Sequence, residues 1–136
     1  MSADTTFYSE IATPIPNRIK LNKSSKTLEL GYADGQQFSL PAEFLRTHSP
    51  SAEVQGHGDP ILQYGKINVA ITDVQPAGNY ALKLTFDDGH DSGIFTWVYL
   101  YKLGTEQAVI WQEYLDQLKA AGVSRDPSES VVRLML

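Results

Sequence analysis

The sequence predicts an α+β fold: two hairpin-plus-helix units with a mainly antiparallel sheet, packed by a C-terminal helix. Three observations carry this expectation. Short stretches alternate apolar and polar residues, and two of them run into an Asp-Gly dipeptide, at Asp34-Gly35 and Asp88-Gly89. Alternation with period two, closed by a pair that accepts positive φ, marks an antiparallel hairpin. The stretch from Thr27 to Gly35, Thr-Leu-Glu-Leu-Gly-Tyr-Ala-Asp-Gly, matches Ala-Leu-Lys-Leu-Thr-Phe-Asp-Asp-Gly from Ala81 to Gly89. Each copy leads through a second strand into a helix with an aromatic-Leu pair, Phe44-Leu45 and Tyr99-Leu100. Finally, residues 106–121 place apolar side chains at helical spacing.

Taken in order, residues 1–17 read as a polar lead-in. Pro14 and Pro16 cannot pair in a central strand. A domain is expected over residues 18–122, with a tail over 123–136. Ile19 and Leu21 alternate with polar neighbours as a half-buried strand. Leu28, Leu30 and Tyr32 share one face of the next strand, and Phe38 and Leu40 return beyond the Asp34-Gly35 turn. Pro41 opens a short helix from Ala42 to Arg46, where its missing N–H costs little.

Residues 47–60 hold two prolines, two glycines and little apolar content, so they read as a long loop. Loops of this length within a compact domain are often functional. A strand is expected on Ile67, Val69 and Ile71, a turn at Pro76-Ala77-Gly78-Asn79, and a strand on Leu82, Leu84 and Phe86. Ile94 and Phe95 follow the second Asp-Gly turn. A helix from Trp97 to Leu103 is expected to end at Gly104. Thr105 is the expected N-cap of a last helix, Glu106 to Ala121, which stops at Gly122. Its apolar set is Val109, Ile110, Tyr114, Leu115 and Leu118. The chain from Ser124 to Val131 is expected to be mobile.

The composition narrows the function. With 136 residues, 42% hydrophobic and 20% charged, the chain can bury one core. It has no cysteine, which excludes disulfides, thiolate metal sites and a cysteine nucleophile. A net charge of −5 argues against sequence-independent nucleic-acid binding. The basic stretch Arg18, Lys20, Lys23 and Lys26 reads as a solvated strand and turn. No apolar run reaches the roughly 18 residues of a membrane helix, and the N-terminus lacks the pattern of a secretory signal. A cytoplasmic location is the expectation.

No phosphate-binding glycine loop, nucleophile elbow or H-E-x-x-H motif occurs. The three histidines are His48, His57 and His90, with Glu53, Asp59, Asp87, Asp88 and Asp91 as nearby carboxylates. His57-Gly58-Asp59 has the local spacing of a facial-triad dipeptide but reads first as a glycine-rich loop whose His and Asp face water. Asp87-Asp88-Gly89-His90 reads first as turn chemistry. Trp97, Tyr99, Tyr101 and Trp111 cluster as core aromatics, or in part as a partner surface.

Two stretches together are similar to a known family. One is Asp34-Gly-x-x-Phe-x-Leu-Pro-x-x-Phe-Leu-Arg46 followed by Ser49-Pro50-Ser51-Ala52-Glu53-Val54. The other is Asp88-Gly-His-x-Ser-Gly-Ile-Phe-x-Trp-x-Tyr-Leu100. They resemble the N-terminal domain of γ-butyrobetaine hydroxylases, also known alone in bacteria as DUF971, over roughly residues 18–103. In the hydroxylases this domain precedes a catalytic domain that binds iron and 2-oxoglutarate, which this chain is too short to contain. The resemblance further implies a structural zinc on three cysteines and one histidine. Those cysteine positions correspond here to Ser49, Ser51 and Val54, and the histidine to His90, so the zinc is expected to be lost. The domain also resembles a segment fused to P-loop ATPases of iron–sulfur cluster assembly.

The resulting expectation is a stand-alone accessory or protein-interaction domain, not an enzyme, with no cofactor. Arg46, His57, His90 and Trp97 are its candidate contact residues. Its expected partner is another protein, an oxidoreductase or a metallocofactor carrier, and neither nucleic acid nor membrane. The alternative is a metal-binding domain that serves iron/2-oxoglutarate oxidoreductases or iron–sulfur assembly, with His90 and His57 as ligands to zinc or iron.

Overall fold

The structure, a computed structural model, describes residues 13–51, 60–90 and 93–128. Its strands form two three-stranded antiparallel sheets. The first contains β1 (Arg18–Asn22), β2 (Thr27–Gly31) and β3 (Gln37–Pro41), in that order, followed by α1 (Ala42–Thr47). The second contains β4 (Ile71–Ala77), β5 (Ala81–Phe86) and β6 (Gly93–Thr96), followed by α2 (Trp97–Thr105) and α3 (Gln107–Ala121). The internal duplication is therefore a repeated three-strand-plus-helix unit, and the expected single sheet is divided between the two copies.

The units match in detail. Gly35 has φ 90° and Gly89 φ 91°, the conformation for which glycine is the least costly residue. Asp34 Oδ1 accepts from the Gln36 N–H at 3.0 Å, and Asp88 Oδ1 from the His90 N–H at 3.2 Å. The side chain after each aromatic-Leu pair then crosses to the other unit's turn. Arg46 Nε donates to Asp88 at 2.8 Å, and the Tyr101 hydroxyl donates to Gln36 Oε1 at 3.1 Å.

Alternation sets the core. Leu28 pairs with Leu40 and Leu30 with Phe38 in the first sheet, and Leu82 pairs with Phe95 in the second. These leucines and Phe95 bury against Leu45 of α1 and against Leu100 and Leu103 of α2, all in one apolar cluster. Burying each such side chain contributes roughly 1.5–3 kcal/mol.

Several expectations change. The strand placed on Ile67, Val69 and Ile71 begins only at Ile71. Ile67 is exposed, and its N–H donates at 3.1 Å to the Arg125 carbonyl instead of to a strand. Pro76 lies inside β4 opposite Leu82, which is tolerated because β4 is an edge strand. Thr105 does not cap α3. Its hydroxyl donates back to the Tyr101 carbonyl at 3.0 Å, which leaves Glu106 as an N-cap without a side-chain bond. Val109 is 61% exposed, because the face that meets the core runs through Ile110, Tyr114 and Leu118, four residues apart.

Residues 124–128, expected to be mobile, form a strap. The Gly65 N–H donates to the Ser124 carbonyl at 2.9 Å. Arg125 donates to both carboxylate oxygens of buried Glu43, at 2.8 and 2.7 Å, and lies 5.1 Å from the centre of a Trp111 ring. Among the described residues no helix is long and apolar enough to cross a membrane.

Candidate functional site

The crossing contacts bring several of the singled-out residues together. Arg46 sits in the last turn of α1 and Asp88 in the β5–β6 turn. Asp88 Oδ2 accepts from Arg46 Nε at 2.8 Å and from Lys66 Nζ at 2.7 Å, while Arg46 Nη1 donates to Gln63 Oε1 at 3.2 Å. Burial works to raise the Asp88 carboxyl. Hydrogen bonds from Lys66, the His90 N–H and Arg46, with the Arg46 charge, outweigh it and hold the group at about 2.

His90, next along the turn, points its Nε2 at two serines just beyond α1. Ser49 Oγ lies 3.0 Å away and Ser51 Oγ 3.3 Å. Both serines and His90 are buried. These contacts join the end of α1 to the second Asp-Gly turn. Gln63 and Lys66 as partners of Arg46 and Asp88, and the two serines as partners of His90, were not legible in the sequence, because residues 17 to 41 positions apart say nothing about which of their side chains meet.

Arg46 and His90 are each 4% exposed, so neither side chain is open at the surface. Trp97 stands elsewhere. Its main-chain N–H donates to the Tyr80 carbonyl at 3.0 Å and its indole Nε1 to the Asn79 carbonyl at 2.9 Å. Tyr80 and Val98 beside it are 56% and 61% exposed. His57 lies outside the described residues. His48 is separate from the His90 cluster, with its ring against Phe44 and Tyr114.

The zinc implied by the hydroxylase resemblance does not fit these residues. Two neutral hydroxyls and one imidazole are not a zinc donor set, and the side chain of Val54, outside the described residues, has no donor atom. Among the described residues no group of three or more His, Cys, Asp or Glu side chains could hold a metal ion.

Comparison with curated proteins finds no match. Solved structures do match. One NMR solution structure is 64% identical, covers 90% of this chain and 98% of its own, and superposes with a TM-score of 0.77. A second NMR structure is 50% identical over 84% of this chain and 86% of its own, with a TM-score of 0.73. A crystal structure from Acidithiobacillus ferrooxidans ATCC 23270 at 1.93 Å is 38% identical, covers 68% of this chain and 92% of its own, and has a TM-score of 0.56. That last protein, of unknown function, is described as a member of the DUF971 family. The family described as gamma-butyrobetaine hydroxylase-like, N-terminal, matches residues 19–101. With the duplicated unit in place and both signature stretches inside that range, the chain belongs to the gamma-butyrobetaine hydroxylase-like N-terminal domain family.

Proposed function

We propose that this chain is an accessory protein-interaction module, without catalysis or a bound metal of its own, and that it meets its partner through Trp97, Tyr80 and Val98. The observation that carries the reading is the way Trp97 is held. Its two N–H groups are both bonded to the β4–β5 turn, and two exposed apolar side chains flank it. A large aromatic fixed in one orientation loses little entropy on binding, and tryptophan and tyrosine are the residue types most enriched at binding hot spots. Arg46 and His90 serve this reading as internal ties between the two units. The partner is a protein, since the surface offers aromatic area and the chain is acidic.

A photo-cross-linking residue at Val98, expressed in the native host, tests this against the same residue at Lys23 in the β1–β2 turn. The expected result is a discrete adduct at Val98 that disappears on Trp97→Ala while the fold is retained. Equal labelling from both positions, or an adduct insensitive to Trp97→Ala, would overturn it.

A further inference from the structure

A cleft of about 400 Å³ opens between the end of α1, the segment from Pro60 to Leu62, and α2 and α3. Its size falls in the range of small-molecule sites. The walls are apolar, from Ile61, Leu62, Ile110 and the rings of Tyr99 and Tyr114.

The polar groups of this cleft are of one kind. The Tyr99 hydroxyl donates to the His48 carbonyl at 2.6 Å, the Tyr114 hydroxyl to the Gln63 carbonyl at 2.7 Å, and the Thr47 hydroxyl to the Glu43 carbonyl at 2.8 Å. Each wall hydroxyl has thus spent its proton on the main chain. His48 Nδ1 lies 2.9 Å from the Phe44 carbonyl, which can only accept, so Nδ1 carries the hydrogen. The Nε2 lone pair is then the acceptor that remains. Burial also lowers the basicity of this ring, against the raising effects of the Phe44 bond and the Glu113 charge. Glu113 supplies a carboxylate at the rim, and Gln117 holds the one side-chain donor left among the lining residues.

We infer that this cleft binds a small primary amine with an apolar body, its ammonium group donating to His48 Nε2 and pairing with Glu113. A cleft with a negative charge, a neutral imidazole acceptor and committed hydroxyls favours a ligand that is cationic and only donates. A carboxylate ligand meets repulsion from Glu113 and only the Gln117 amide as a side-chain donor. A neutral alcohol forgoes the ion pair.

The test is NMR titration of the full chain with benzylamine, benzyl alcohol and benzoate, in wild type and in Glu113→Gln. Expected are saturable shifts with benzylamine at the amides of His48, Leu62, Tyr99 and Ile110 and at the His48 Nε2 resonance. Glu113→Gln should weaken that binding roughly fivefold, as loss of a partly exposed ion pair does. Benzyl alcohol should bind more weakly and benzoate should not saturate. Glu113 is exposed, so its substitution leaves the fold intact. Absence of saturation with benzylamine, shifts confined to other surfaces, equal binding of benzyl alcohol, or an affinity unchanged in Glu113→Gln would each overturn the inference.

Discussion

Arg46, in the helix of the first unit, donates through Nε to Asp88, in the turn of the second, at 2.8 Å; Tyr101 returns the contact to Gln36 at 3.1 Å. The two repeats are therefore tied at both turns, once through an ion pair and once through a neutral hydrogen bond. The two ties differ in cost. Asp88→Ala leaves the Arg46 guanidinium buried without its counter-ion, and a loss of about 3 kcal/mol is expected. Tyr101→Phe, which removes only a hydroxyl, should cost about 1 kcal/mol. Urea unfolding of both variants checks the order, and a larger loss for Tyr101→Phe would contradict it.

The same ion pair gives an acid limb to stability. The Asp88 carboxyl is held at about 2 in the folded chain, below its ordinary 3.8. The folded value is the depressed one, so the contribution is complete above the unfolded value and is lost as pH falls from about 4 towards 2. Nearly two pKa units correspond to about 2 kcal/mol. Stability measured from pH 5 to pH 2 should fall less steeply in Asp88→Asn than in the wild type, from a lower starting value. Parallel curves would show that Asp88 does not titrate in this window.

Tyr32 is 6% exposed, and its hydroxyl has no hydrogen-bond partner among the described residues. Burial, with a smaller effect from Tyr101, pushes its ionisation up to about 12. The ring makes edge contacts with Phe38 and Tyr101 that a phenylalanine keeps. Tyr32→Phe should therefore be neutral or stabilising by up to about 1 kcal/mol. A destabilisation of that size in thermal or urea unfolding would mean that the hydroxyl is bonded in solution.

Gly104 gives the opposite of what helix propensity suggests. Alanine in a helix interior is normally favoured over glycine by about 1 kcal/mol. Here a Cβ would overlap the ring of Phe38, which is packed against Tyr32 and Tyr101. Gly104→Ala is expected to destabilise by about 2 kcal/mol through displacement of that ring. A rise in melting temperature would show that the aromatic stack yields freely.

The strap at residues 124–128 depends on Arg125. Truncation to alanine leaves the Glu43 carboxylate, 8% exposed, without its bidentate partner and removes the contact with Trp111. Hydrogen exchange at Gly65 and Ile67, whose N–H groups donate to the Ser124 and Arg125 carbonyls, should accelerate more than exchange in β5. Uniform acceleration would make the effect a global loss of stability.

Much of this protein follows from the order of its residues. Alternation places Leu28, Leu30, Leu82 and Leu84 inside, because successive strand side chains face opposite sides. The Asp-Gly pairs set both turns, since few dipeptides accept that backbone. Gly122, with φ 70°, stops α3 where expected, and the two signature stretches mark the family. Tertiary structure decided the rest. Ile67 has strand-like neighbours, yet its N–H is taken by a strap nearly sixty residues later. Val109 fits a helical stripe, yet the buried face of α3 runs through Ile110, Tyr114 and Leu118 and leaves it exposed, and Thr105 spends its hydroxyl backwards. That Arg46 reaches Asp88 and that His90 meets Ser49 and Ser51 depend on how two copies of one unit face each other, and that His48 and Glu113 line one cleft depends on where α3 lies against the first unit. Local sequence carries side-chain type and backbone preference; it does not carry the relative placement of distant turns, which long-range packing fixes.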